Sequence, residues 1–265
     1  MIITLALALV LLTAHSLLLA SEEAQSDALF LSQTYEGDDR PCLILLHGLG
    51  ARDWLMDGVA WNLEEDYWVV NQAYPSTSAP LEYLAPKYIT KAIDACASHA
   101  EQGIDMVTHS MGGIMLRQYL SVAEMPQLRL LVMIAPPNRG SEVVDNIGHW
   151  RVFQRMMGPA GTQLGTNGGL SSLPSPSVPF AVIAGDLSFE PWFDAMFDGP
   201  NDGRVSVDST KLDGMSDFIV IHQHHSLLLW DPRTWQQVRL FLQQEAFDHQ
   251  LLEDNDASSA DDRSG

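Results

Sequence analysis

The chain has 265 residues, 46% of them hydrophobic, which is the size and composition of one α/β domain or of two small ones. Its formal net charge is -20, from 14 Lys and Arg against 34 Asp and Glu, and this argues against nucleic acid and anionic lipid headgroups as partners. The cysteines Cys42 and Cys96 form neither a metal-type cluster nor a CxxC motif, and a single disulfide between them is possible if the chain is exported, with nothing in the spacing to fix their distance.

The chain opens with an apolar run, Ile2 to Ala20, which is close to the ~20 residues that span a bilayer. Acidic residues follow it at once, and this asymmetry favours export of the body of the protein. A cleaved signal peptide and a retained membrane anchor both fit the run, and a buried helix of a cytoplasmic protein is a third interpretation. We expect an exported protein, periplasmic or secreted, or one held at a membrane by this segment.

Composition predicts the remaining organisation. After the N-terminal segment 1–20, residues 21–40 are polar and acidic and are interpreted as a linker, with a short strand at 30–35. Residues 41–247 form a single predicted domain, and 248–265 an acidic, Ser-rich, disordered tail.

Apolar runs that end in glycine, proline or polar residues predict buried strands. They lie at 42–46, 67–73, 104–109, 128–135, 178–185 and 217–221. Helical patterns lie between them, at 53–65, 81–102, 114–119, 143–157 and 231–246. This alternation predicts an α/β fold, a mostly parallel sheet with helices on both faces. The segment 143–157 is either a sheet-covering helix or a mobile cover over a pocket, and 158–179 is predicted to be a loop.

Ser110 lies between the strand 104–109 and two glycines that open a helix, which is the layout of a nucleophile elbow. The turn is sharp, so a large side chain two residues before or after the serine is unfavourable. Gly112 fits this need, whereas Thr108 stands where glycine is commonest. The alternative is a plain buried turn.

An activated serine needs a base and a carboxylate that orients the base, and in parallel sheets of this kind they follow it in the order acid, then histidine. Asp202, in an Asn-Asp-Gly turn, and His225, before the last helix, fit this order. The other candidates are Asp186, Asp208 and Asp213 for the acid, and His222 and His224 for the base. A metal site made of the three histidines is disfavoured, because a third ligand type and helical spacing are both missing.

The expected oxyanion donors are the backbone N–H groups of Met111, directly after the serine, and of Leu49, in the loop after the first strand. His47, in the same loop, is interpreted as a structural residue rather than a catalyst. An apolar pocket is expected from five residues: Leu49, Trp54, Tyr74, Trp150 and Leu227.

Together these segments resemble the α/β-hydrolase superfamily, and within it the bacterial lipases and esterases. The similar motifs are Leu45-Leu46-His47-Gly48-Leu49-Gly50, Thr108-His109-Ser110-Met111-Gly112-Gly113, Asn201-Asp202-Gly203, Tyr74-Pro75-Ser76 and Pro137-Asn138-Arg139-Gly140. The resemblance implies an α/β-hydrolase fold and no cofactor. The carboxylate that binds calcium in many such lipases is missing after His225, so no structural calcium is predicted. No large lid insertion is evident, which favours short or moderately sized esters.

The sequence therefore predicts a serine carboxylic-ester hydrolase, with Ser110 as nucleophile, His225 as general base and acid, and Asp202 orienting His225. Its expected partner is a small acyl-ester or lipid substrate. The alternatives are a membrane-tethered, non-catalytic binding protein of the same fold and an acyltransferase that uses the same triad.

Overall fold

The computed structural model describes residues 39–251. The N-terminal segment 1–20, the strand at 30–35 and most of the linker and the acidic tail lie outside the described residues, so these assignments stay predictions. The backbone of Asp248 is hydrogen-bonded to the side chain of Gln237, so the folded part extends past residue 247. Between residues 39 and 251, no helix combines the length and the apolar character needed to cross a bilayer.

Six strands form one parallel sheet. They are Cys42–Leu46 (β1), Trp68–Gln72 (β2), Ile104–His109 (β3), Leu128–Ile134 (β4), Phe180–Gly185 (β5) and Asp217–Ile221 (β6). Their order is β2-β1-β3-β4-β5-β6, and every neighbouring pair is parallel. The predicted strands and the predicted α/β class are confirmed.

The α-helices connect the strands and cover both faces. They are Asp57–Leu63 (α1), Leu81–Ala95 (α2), Met111–Leu120 (α3), Glu142–Ile147 (α4), Arg151–Thr162 (α5), Pro191–Asp194 (α6), Val207–Thr210 (α7) and Pro232–Gln244 (α8). Short 3-10 helices lie at Asp53–Met56, Ala97–Gln102, Leu170–Ser172 and Leu227–Trp230.

Strand β1 shows why the core has two layers. All its side chains are buried, and successive side chains of a strand point to opposite faces. Ile44 and Leu46 therefore pack in the layer that contains α2 and α3, while Leu43 and Leu45 pack in the layer that contains α1 and α8. A strand buried on both faces has to be apolar throughout, which is the pattern that the sequence shows.

Two predicted helices are shorter than expected. The segment 81–102 is helical only to Ala95, and a 3-10 helix follows Cys96, whose sulfur is bonded to that of Cys42 with a Cα–Cα distance of 5.8 Å. The segment 143–157 is interrupted at Gly148, where an added Cβ would lie 2.4 Å from the carbonyl oxygen of Val144.

The predicted loop 158–179 is also partly wrong. Helix α5 continues to Thr162 across a kink at Gly158, and the 3-10 helix Leu170–Ser172 follows. Gly158 has a φ of 64°, and its Cα lies against the backbone of Thr77, so a contact that is distant in sequence decides where the chain bends.

The chain order reverses between β1 and β3, which are neighbours in the sheet although β2 lies between them in sequence. At such a point the connections leave to opposite sides and open a crevice at the carboxyl ends of the strands. The loops after Leu46 and His109 are therefore side by side, because Leu46 is in register with Thr108.

Candidate functional site

Ser110 occupies a strained turn between β3 and α3. Its φ of 53° and ψ of -122° lie in a region that non-glycine residues rarely adopt, at a cost of about 1–3 kcal/mol. The backbone holds the turn, since the N–H of Ser110 donates to the carbonyl of Ile134 at 2.8 Å and its own carbonyl accepts from Gly113 at 3.1 Å. This is the backbone geometry expected of a nucleophile elbow at a strand-to-helix turn.

Two glycines allow the β1 loop to lie directly against this turn. A Cβ on Gly112 would be 2.5 Å from the carbonyl oxygen of Leu46, and a Cβ on Gly48 would be 3.0 Å from the Cβ of Ser110. Glycine is needed at position 112 because the opposing atoms are backbone, which cannot rotate away, and at position 48 an added Cβ would press on the Cβ of Ser110.

Thr108 fits the turn because the residue after Gly112 is also a glycine. A Cβ on Gly113 would be 3.3 Å from the Oγ1 of Thr108, so the second glycine leaves the space into which the threonine extends. The Thr108 hydroxyl is buried and has no hydrogen-bond partner among the described residues.

Asp202 is held by the turn that contains it. One carboxylate oxygen accepts from the backbone N–H groups of Arg204, at 3.0 Å, and of Val205, at 2.8 Å. Gly203 supplies the positive φ of 85° that the turn needs. Asp202 is fully buried, and its other oxygen faces His225.

His225 lies on the loop after β6 and contacts Asp202 twice. Its Nδ1 is 2.7 Å from Oδ2 of Asp202, and its backbone N–H donates to the carbonyl of Asp202 at 3.1 Å. A carboxylate beside Nδ1 favours the tautomer with the proton on that atom and leaves Nε2 free to accept one. Ser110 and His225 line the same cavity, without a direct hydrogen bond between their side chains. Such bonds are often long before substrate binds.

The other candidates are engaged elsewhere. Asp186 pairs with His222 at 2.8 Å, and Glu190 pairs with His224 at 3.2 Å. Asp208 is mostly exposed and pairs with Arg139 and Lys211, and Asp213 is exposed. The three histidines thus face three different carboxylates, and the part of the chain that the structure describes holds no group of three metal-type side chains.

The expected oxyanion donors lie on the two neighbouring loops. Met111 is the first residue of α3, so its N–H has no acceptor within the helix, and the positive end of the helix dipole lies there. Leu49 follows Gly48, which contacts Ser110. Gly50 donates to the hydroxyl of Ser76 at 2.9 Å, which fixes the end of the Leu49 loop.

His47 is structural in this arrangement. It is fully buried, stacks on Tyr74 with ring centroids 4.1 Å apart, and its carbonyl accepts from the hydroxyl of Tyr74. Burial lowers the pKa of His47, so the ring is neutral at pH 7.

An open cavity of about 280 Å³ leads to Ser110 and His225. Of the five residues expected to line it, only Leu49 does. Trp54 and Trp150 are 58% and 53% exposed, Leu227 is 45% exposed, and Tyr74 is buried behind His47. The lining is nevertheless mostly apolar, with Leu49, Leu55, Val143, Val144, Ile147, Phe153, Met157, Leu164, Phe193 and Val205.

Helices α4 and α5 cover the cavity, so the segment predicted as a helix at 143–157 lies over the site and not only over the sheet. Ile147, Phe153 and Met157 line the cavity from these helices, while Val152 and Met156 point to solvent. Whether this cover moves stays a prediction.

Sequence reasoning missed His109 and Arg204, which both line the cavity. His109 directly precedes the serine, and Arg204 follows the Asn-Asp-Gly turn by one residue, so sequence adjacency was the available signal. The Arg204 guanidinium lies 4.9 Å from the Phe193 ring centre and pairs with Glu190 at 2.8 Å. Glu190 is partly buried, which raises its pKa, but Arg204 and His224 outweigh this effect and lower it overall.

A sequence model described as the alpha/beta hydrolase family matches residues 43–261, which is most of the chain and includes all of the sheet except Cys42, the first residue of β1. No curated protein sequence matches the chain significantly.

Solved structures of the same fold include lipases and esterases. The mature lipase of Bacillus licheniformis has a TM-score of 0.62 at 14% identity, covering 79% of this chain and 93% of that one. A metagenomic carboxyl esterase has a TM-score of 0.58 at 18% identity, covering 71% and 65%. The Staphylococcus hyicus lipase has a TM-score of 0.54 at 12% identity, covering 74% and 91%. At these identities the likeness shows the shared fold, and the predicted α/β-hydrolase fold is confirmed.

Proposed function

Because this chain belongs to the alpha/beta hydrolase family, we propose that it is a serine carboxylic-ester hydrolase that works through an acyl-enzyme on Ser110. One observation carries the proposal: the buried 2.7 Å contact between His225 and Asp202 lies at the cavity into which the strained turn presents Ser110. Nucleophile, base and orienting acid thus follow the chain order expected of this fold.

In the proposed reaction, Ser110 Oγ attacks the ester carbonyl carbon while His225 Nε2 takes the hydroxyl proton. The N–H groups of Leu49 and Met111 stabilise the oxyanion that forms, and one such donor is typically worth about 3 kcal/mol. His225 then gives its proton to the leaving alcohol. Water, deprotonated by His225, attacks the acyl-enzyme and releases the carboxylic acid and the free serine. Side chains, backbone N–H groups and water supply every proposed step.

The cavity supports a substrate with a short or moderately long acyl chain. The open cavity has a volume of about 280 Å³, which limits the length of acyl chain that it can enclose. It is also near the lower end of the range of ligand pockets, about 300–1,000 Å³. The apolar lining from α4 and α5 suits a hydrocarbon chain.

Ser110→Ala tests the proposal. We expect hydrolysis of p-nitrophenyl esters to fall by at least about 10³-fold and labelling by a fluorophosphonate to disappear, because both need the nucleophile. Ser121→Ala, at the far end of α3, is the matched control and should behave as the wild type. Full activity in Ser110→Ala would refute the assignment. A wild type that is neither labelled nor active would favour the non-catalytic binding protein.

We further propose that the protein is exported, or held at a membrane by its N-terminal segment. The disulfide between Cys42 and Cys96 supports this, because such bonds persist in oxidising compartments and are rare in the cytosol. Cell fractionation tests it, and a protein found in the cytosol with reduced thiols would contradict it.

A further inference from the structure

We propose that His109, the residue directly before Ser110, is a positioning residue that holds the loop of His225 in place for proton transfer. The inference rests on the proposed serine-hydrolase function. Nε2 of His109 lies 3.2 Å from the backbone carbonyl oxygen of His225, and the two rings are 4.7 Å apart at 48°. His109 is 2% exposed.

The contact completes the support of the His225 backbone. On one side the N–H of His225 donates to the carbonyl of Asp202 at 3.1 Å, and on the other its carbonyl accepts from His109. The carboxylate of Asp202 orients the ring, but ring orientation alone does not set the distance between Nε2 and Ser110. That distance depends on where the backbone of residue 225 lies, which His109 fixes together with the carbonyl of Asp202.

The chemistry of the contact determines the tautomer of His109. A carbonyl oxygen can only accept, so Nε2 of His109 carries the proton and Nδ1 does not. Nδ1 is buried and has no partner among the described residues. Glycine at position 48 leaves that atom its space, since a Cβ there would be 3.1 Å from it.

His109 also stays neutral throughout the reaction. Burial lowers its pKa well below the ordinary value, and the charges that His225 and His47 would carry lower it further. These two histidines are the titratable groups that act on it, and its hydrogen bond to the His225 carbonyl opposes their effect only in part. When His225 takes the proton from Ser110, His109 therefore keeps the same hydrogen bond and adds no competing proton acceptor or repelling charge.

Because His109 directly precedes Ser110 in sequence, its contact with His225 links the proposed nucleophile to the proposed base. His109 ends β3 and Ser110 begins the turn, so one rigid strand end positions both the nucleophile and the backbone of the base. The hydrogen bond joins residues that are 116 positions apart. The hydrogen bond of His109 therefore holds the proposed nucleophile and base relative to each other independently of the contacts of Asp202.

The test compares two substitutions at this position. His109→Phe keeps a ring but loses the donor, whereas the amide N–H of His109→Gln can reach the same carbonyl. We expect kcat for p-nitrophenyl butyrate to fall at least tenfold in His109→Phe, because a misplacement of about 1 Å can cost 10²-fold. KM should stay within about twofold, and His109→Gln should recover most of kcat. Hydrogen exchange at the His225 amide should accelerate in His109→Phe and return towards the wild-type rate in His109→Gln.

His99→Phe is the matched control for a buried histidine. Nδ1 of His99 is 2.9 Å from the carbonyl oxygen of Arg40, and its ring stacks on Trp68 at 4.9 Å. These contacts lie at the amino ends of the strands, whereas the cavity lies at their carboxyl ends. His99→Phe should lose thermal stability as His109→Phe does, while it retains kcat. A general loss of packing would instead lower kcat in both variants.

Three results would overturn the proposal: wild-type kcat in His109→Phe, equal losses in the Gln and Phe variants, or unchanged amide exchange at His225. Failure of the proposed function is recognised separately, by a wild type that does not react with a fluorophosphonate. The amide exchange rate of His225 would still show whether His109 holds its loop, but a role in proton transfer would be excluded.

Discussion

Gly112→Ala places a methyl group between the two loops that carry the proposed oxyanion donors. The new Cβ would lie 2.5 Å from the carbonyl oxygen of Leu46 and 2.9 Å from that of His47. Both are backbone atoms at the end of a central strand, so no side chain can rotate to relieve the contact. The strand end and α3 would have to separate by about 0.9 Å to restore an ordinary contact of 3.4 Å.

The separation sets the expected size of the effect. The N–H groups of Leu49 and Met111 lie on opposite sides of the widened gap, so one of them leaves the position where the oxyanion forms. Loss of one such donor typically lowers kcat by 10²–10³-fold. A misplacement of about 1 Å has a similar cost. We expect Gly112→Ala to lower kcat by about 10²-fold with little change in KM, because the donors act on the transition state.

Gly113→Ala is the matched comparison, since it lies in the same helix turn. There the nearest atom is the terminal methyl of Met133, at 2.9 Å, and its flexible thioether chain can move aside. The Cβ of Pro136, at 3.2 Å, and the Oγ1 of Thr108, at 3.3 Å, need shifts of only about 0.1–0.2 Å to reach 3.4 Å, against 0.9 Å at Gly112. Both substitutions gain up to about 1 kcal/mol of helix propensity, so this term cancels between them. Kinetics with p-nitrophenyl butyrate, alongside thermal unfolding, would measure the difference. Equal kcat values for the two variants would refute the argument that the Gly112 contact sets the oxyanion geometry.

Three further outcomes follow from the site and the core. Asp202→Asn should lower kcat by about 10⁴-fold, because an amide stabilises the wrong tautomer of His225; an unchanged far-UV spectrum would serve as the folding control, and near-normal activity would remove Asp202 from the triad. Met157→Trp should reduce the cavity, so the kcat/KM ratio of octanoate to butyrate esters should fall about tenfold; an unchanged ratio would show that the acyl chain binds elsewhere. Replacing Cys42 and Cys96 by serine should lower the free energy of unfolding in urea by up to about 4 kcal/mol, given their separation of 54 residues. Because Cys42 starts β1 at the end away from the site, a large loss of kcat in the folded double variant would contradict the assigned geometry.

The strands and the order of the candidate residues could be predicted from the chain alone. A strand buried on both faces is mostly apolar, so β1 and β5 are evident as short unbroken runs. Parallel strands point the same way, which places the segments after them at one edge of the sheet. A turn such as Asn201-Asp202-Gly203 has a local chemistry that is visible in three residues, and the structure shows Asp202 bonded to its own turn.

Long-range contacts decided the rest. Helical periodicity could not locate the break at Gly148 or the kink at Gly158. The kink, for example, depends on a contact with the backbone of Thr77, which is distant in sequence. It also could not show that Leu55 and Phe153, rather than the neighbouring Trp54 and Trp150, face the cavity. A shift of one residue turns a helix by about 100°, which changes the side chains that face the cavity without changing the period of the pattern.

The site shows the same division. Local sequence predicted Ser110 as a candidate by the shape of its turn and Asp202 by its turn chemistry, since both features depend on a few adjacent residues. The pairing of His225, rather than of its neighbours, with Asp202 and its contact with His109 depend on how the β6 loop packs against the end of β3. That packing is a property of residues more than a hundred positions apart, and no local pattern encodes it.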